Sequence, residues 1–156
     1  MWVSILETDA QWYVLDMRRT WNMVALGGIA LGLMWAQTPA SVWDGIFSSE
    51  QAGRGEGLYR QECASCHGEK LEGRGQAPAL VGGDFTMDWN GMTVGDLFEK
   101  MQTSMPADQP GHLSREQNAT LLAFILNANK FPAGAAELST DGERLRQIRF
   151  EAAKTK

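Results

Sequence analysis

Hydrophobic and polar positions divide this chain into three regimes. The first is an unbroken apolar run at 23–35, preceded by Arg18 and Arg19 and followed by small residues at Ala36, Thr38 and Ala40. A basic start, an apolar core and a small-residue site form the layout of an export signal, and the run is short for a membrane span. Residues 1–16 carry Glu7, Asp9 and Asp16 and no base, so the reading starts the signal at Met17 and cleaves it near Ala36 or Ala40. The alternative is an uncleaved anchor over 21–42. The second regime has apolar residues three and four apart. Ala52, Gly55, Tyr59 and Cys63 share a face over 50–63, with Ser49 as its N-cap. Val94, Leu97, Phe98 and Met101 follow a capping-box pair at Thr93 and Asp96 and predict a helix to about 102. Leu121, Leu122, Phe124, Ile125 and Leu126 follow a second pair at Ser114 and Gln117 and predict a helix to about 127, ended by Asn129 and Pro132. A short helix is expected from Thr140-Asp141, with Leu145 and Ile148 as its stripe.

The third regime has no period. Residues 41–45 read as an extended lead-in, 68–80 as a glycine-rich loop that must wrap something, and 103–113 as a loop with two prolines. No strand-like alternation appears, so the fold class is all-α with long loops. The expected organisation is an N-terminal extension plus signal over 1–40, one domain over 41–134 and a C-terminal extension over 135–156, either a short docked helix or a disordered end.

Composition narrows the function. The chain has 156 residues, a net charge of −5 and no basic run, which argues against nucleic acid as a partner. Arg18 and Arg19 are the only bases, and Glu7, Asp9 and Asp16 the only acids, before Ser41; the remainder is net −4, with no lysine ring to steer partners. Seventeen glycines and a modest apolar content are thin material for a self-sufficient core, which a buried apolar cofactor would complete.

The two cysteines stand in Cys63-Ala64-Ser65-Cys66-His67, and Cys-x-x-Cys-His reads as a c-type haem attachment site. Two thiols at this spacing can add to the two vinyl groups of one haem, and the next histidine then lies under the ring as an iron ligand. A thioredoxin-type pair is expected near a βαβ pattern, which is absent. A zinc site would have only Cys63, Cys66, His67 and His112 to draw on, in an awkward order. The sixth ligand has five candidates after the motif: Met87, Met92, Met101, Met105 and His112. Met101 lies on the apolar face of its helix, and Met87 and Met92 flank Trp89 in a loop. Met105 follows a helix and precedes Pro106, which biases it to extended backbone and suits a side chain aimed at a fixed point. An iron ligated on both faces has no open position, so the residues favour electron carriage over catalysis. A ligand that dissociates to admit a gas would instead make a sensor.

Over residues 49–130 the chain resembles the class I, monohaem His/Met cytochromes c. Gly55-x₃-Tyr59-x₃-Cys63-x-x-Cys66-His67 is similar to that family's first helix and haem motif, Leu121 to Leu126 to its last helix, and Met105-Pro106 to its distal loop. The resemblance implies that Gly55 and Tyr59 cross Leu121 and Phe124. It also implies that the Pro78 carbonyl receives the His67 N–H, that Leu80 covers the ring and that Trp89 reaches a propionate. The cofactor implied is one haem c with its iron, His67 and Met105 being the metal ligands. Residues 105–114 and 129–134 are similar to small periplasmic cytochromes associated with quinoprotein dehydrogenases. The implied partners are therefore redox proteins, a dehydrogenase donor and an oxidase or cytochrome acceptor, met by a free carrier or by an electron-accepting subunit.

Overall fold

The computed structural model describes residues 41–154; the expected export segment and start site lie outside the described residues. Six helices follow in order: α1 (Ser49–Glu62), α2 (Ala64–His67), α3 (Gly83–Asp88), α4 (Val94–Ser104), α5 (Arg115–Ala128) and α6 (Gly142–Arg146). Among the described residues β-pairing is confined to isolated bridges, so the architecture is all-α.

The frame is the crossing of α1 and α5. A β-carbon on Gly55 would stand 2.3 Å from the Thr120 carbonyl oxygen and 2.7 Å from Phe124 Cβ, so only glycine lets the two backbones come this close. One turn on, the Tyr59 and Phe124 rings pack with centroids 5.3 Å apart. Both capping boxes expected from sequence form, Thr93 with Asp96 on α4 and Ser114 with Gln117 on α5. α4 runs past 102 to Ser104, and the Thr103 hydroxyl donates to the Glu99 carbonyl, which keeps it within the helical turn.

Three local expectations are corrected. The N-cap of α1 is Ser48, not Ser49: Ser48 is held extended by its bridge to Gly134, a tertiary constraint that local sequence does not carry. Residues 41–45 are not extended, because Ser41 and Asp44 form a capping box around a 3₁₀ turn at Val42–Asp44. Met87 lies in α3 rather than in a loop, with Trp89 as that helix's C-cap. One buried residue, Phe85, anchors α3, too few for a period to register.

The core continues past α5 into the C-terminal segment. Beyond 134, Leu145 and Phe150 are fully buried and Leu138 is buried. Gln51, itself buried, holds Leu138 from both sides, its Nε2 donating to the carbonyl and its Oε1 accepting from the amide at 2.7 Å. Val42 N–H donates to the Arg149 carbonyl, Val94 N–H to Ile148, and Phe150 N–H to Met92. Phe150 stacks edge-on against Phe85 and Phe131, and Phe131 against Trp43. Residues 135–150 therefore dock into the same core as α1 to α5.

Candidate functional site

α1 ends at Cys63, whose N–H donates to the Tyr59 carbonyl. A single further turn then places Cys66 and His67, with Cys66 N–H and His67 N–H both donating to the Cys63 carbonyl at 3.1 and 2.9 Å. No disulfide joins the two cysteines; Cys63 is half-buried and Cys66 exposed. Burial, with Glu62 and Cys66 beside it, pushes the Cys63 thiol up to about 11.

His67 is 9% exposed, and its Nδ1 lies 2.8 Å from the Pro78 carbonyl oxygen. A carbonyl can only accept, so Nδ1 carries the proton and Nε2 keeps its lone pair for a metal. The loop that brings Pro78 here is tied at several points. Gly73 N–H donates to the His67 carbonyl, Arg74 and Ala77 pair in a turn, and Leu80 N–H donates to Leu71. A β-carbon on Gly73 would meet Ala79 N at 2.6 Å, and its φ is +77°. The buried Tyr59 hydroxyl donates to the Gly68 carbonyl at 2.7 Å, and desolvation holds its proton well above the ordinary tyrosine range.

Met105 is the C-cap of α4, with the extended backbone (φ −126°, ψ 148°) expected before a proline. The Met105–Pro106 bond is cis. The loop beyond Met105 is pinned at its two ends: Gln102 Nε2 donates to the Leu113 carbonyl at 3.0 Å, and Asn118 Nδ2 donates to Gln102 Oε1 at 3.1 Å. Of the other candidates, Met101 is buried in the core, and Met87 and Met92 are 63% and 42% exposed. His112 is engaged on the surface, Nε2 with Glu62 at 3.1 Å and Nδ1 with the Gln109 carbonyl. Leu80 and Trp89 are half-buried against the core. Four polar residues that periodicity could not reveal, Gln51, Gln102, Asn118 and Asn129, make the contacts that position the loops.

Residues 50–125, from the first turn of α1 into α5, match the model of a family described as cytochrome c oxidase, cbb3-type, subunit III. They form a c-type cytochrome domain. The cytochrome domain therefore binds haem c covalently and transfers electrons. No curated protein matches the chain in sequence. A chain in the crystal structure of the sulfane dehydrogenase SoxCD from Paracoccus pantotrophus is similar, at 25% identity and a TM-score of 0.47 over 74% of this cytochrome and 62% of that chain. The chain thus spans less than two thirds of that chain's length. Within the cytochrome domain, two thiols on one turn beside an imidazole with a free Nε2 are the donor set that a covalently held haem requires. Among the described residues, no helix is long and apolar enough to cross a membrane.

Proposed function

We propose that this cytochrome is a periplasmic one-electron carrier that holds a single haem c through thioethers from Cys63 and Cys66, with His67 and Met105 as the axial ligands. The observation that carries the reading is the 2.8 Å contact of His67 Nδ1 with the Pro78 carbonyl, which fixes the tautomer and leaves Nε2 as the donor. Bound there, the haem supplies the Fe(III)/Fe(II) couple, and the protein supplies attachment, ligands and a shielded setting. Pro78 orients the imidazole and raises its basicity. Met105 contributes a thioether from the end of a rigid helix, which raises the potential relative to a second imidazole. Leu80 would cover the ring, and Trp89 would reach a propionate. The export segment at 17–40 supports the periplasm, and the likeness of 105–114 and 129–134 to dehydrogenase-associated cytochromes supports a dehydrogenase as donor. With both axial positions taken, carriage rather than turnover is the activity, and docking is small and transient.

The test is the visible spectrum of the exported protein in both oxidation states, compared with Met105→His and Met101→Leu. A weak ferric band near the red end of the spectrum, lost only in Met105→His, is the expected result. Loss on Met101→Leu instead would move the ligand by one helical turn. Ready binding of carbon monoxide by the reduced protein at neutral pH would favour the sensor.

A further inference from the structure

The end of α5 reaches across to the loop that carries Pro78, and it does so through one side chain. Asn129 caps α5. Its Nδ2 donates to the Leu80 carbonyl at 2.8 Å and to the Ile125 carbonyl at 2.8 Å, while its Oδ1 accepts from the Gly82 amide at 3.0 Å. Two carbonyls on one side and an N–H on the other fix which way the amide points. They also require a group that donates and accepts at once, which among side chains of this length is asparagine alone.

The base of this arm is rigid. Lys130 has φ 68°, its N–H donates to the Asn127 carbonyl, and Phe131 N–H donates to the Leu126 carbonyl. These are the two bonds of a Schellman ending, made here with lysine in the left-handed position that glycine usually takes. Phe131 is buried and packs on Trp43, so the ending is locked into the core. The arm's far end is equally defined: Leu80, two residues after Pro78, is gripped by Leu71 through its N–H and by Asn129 through its carbonyl.

We infer that Asn129 is a positioning residue for the proximal histidine: it holds the 78–82 segment so that the Pro78 carbonyl stays on His67 Nδ1. Asn129 lies beyond the residues matched by the family model. The inference rests on His67 being the iron ligand, and it adds a consequence for the redox couple. A carbonyl held firmly on Nδ1–H makes the imidazole a stronger donor, which favours Fe(III) and lowers the potential. Loosening the loop weakens that bond and raises the potential.

The experiment uses the haem-loaded, full-length protein and the variants Asn129→Ala and Asn129→Asp. Reduction potential is measured by redox titration, and exchange of the Gly82 amide and of His67 Nδ1–H by NMR of the reduced protein. Asn129→Ala is expected to raise the potential and to speed both exchanges by about fivefold or more, the loss of a few side-chain hydrogen bonds. The ferric red-end band should stay, because Met105 is on the other loop. A general loosening of the fold would weaken that band as well. Asn129→Asp keeps the acceptor for Gly82 and loses the donors, so Gly82 should stay protected while His67 Nδ1–H exchanges faster; this variant decides if Asn129→Ala loads poorly. An unchanged potential and unchanged Nδ1–H exchange in a normally loaded variant overturn the inference alone. A wild-type protein without haem, or one whose spectrum survives His67→Ala, overturns the reading of the site and the inference together.

Discussion

The two loops proposed to flank the haem iron are built differently. The proximal loop, 68–80, is held along its length: Tyr59 on Gly68, Gly73 on His67, Leu80 on Leu71, Asn129 on Leu80, and Pro78 on the histidine itself. The distal loop, 103–113, is tied to the rest of the fold at its ends, by Gln102 and Asn118 on Leu113 and by the Met105 N–H on Met101, with the surface pair His112–Glu62 as its cross-tie; between them its bonds run within the loop, Gln109 N–H to Pro106 and His112 N–H to Gln109. The polypeptide alone therefore sets the imidazole's direction. It places Met105 at the C-terminal end of α4, and for Met105 as the proposed ligand the last alignment would come from the bond to iron. The proximal side is preorganised, and the distal side is where lability should appear.

Breaking the frame under both loops should abolish the difference. Gly55→Leu drives a side chain into the Thr120 carbonyl and Phe124, contacts already at 2.3 and 2.7 Å for a β-carbon alone. The expected loss is about 3 kcal/mol or more, from backbone that cannot yield, and it takes haem loading with it. Urea denaturation and haem stain check this; a normally loaded, normally stable Gly55→Leu would refute the crossing.

A smaller effect should separate the loops. Asn118 is buried, and its Nδ2 faces the Gln102 Oε1 and the Leu113 and Ser114 carbonyls. Asn118→Ala should cost about 1–3 kcal/mol. It should also speed displacement of Met105 by added imidazole, leaving His67 Nδ1–H exchange as in wild type. Equal disturbance of both sides would mean that the loops are one unit. Smaller still is the His112–Glu62 tie: Glu62→Gln should cost about 0.2–1 kcal/mol, screened by salt, read as a slightly faster imidazole displacement at low ionic strength.

The least effect, and a control remote from either loop's ligand, is the cap of α4. Hydrogen bonds from the Thr93 hydroxyl and N–H hold the Asp96 carboxyl below its ordinary range. Its folded pKa is depressed, so its contribution is complete above the unfolded value of about 3.9 and fades as pH falls through the lower folded value. Asp96→Asn should flatten that acid limb of the stability curve by about 1 kcal/mol at most, with the potential at neutral pH unmoved.

Much of this was legible in the sequence where the physics is local. Cys63, Cys66 and His67 announce themselves by spacing, Ser114 with Gln117 and Thr93 with Asp96 by capping chemistry, and Gly55 by its cost in a helix. The rest depends on partners far along the chain. Ser48 caps α1 because Gly134 pairs with it. Phe150 looks like a tail residue until Phe85 and Phe131 close on it. Asn129 reads as a helix stop, and only the folded chain shows that its amide faces Leu80 and Gly82.

The account stands on a porphyrin bound through both cysteines. Intact mass of the protein exported from a host able to mature c-type cytochromes, measured after denaturation, tests this most directly. The polypeptide plus one haem is predicted, with the added mass resisting acid extraction and lost in the Cys63→Ser, Cys66→Ser double variant. Bare polypeptide from that host, or haem that leaves on denaturation, would contradict it.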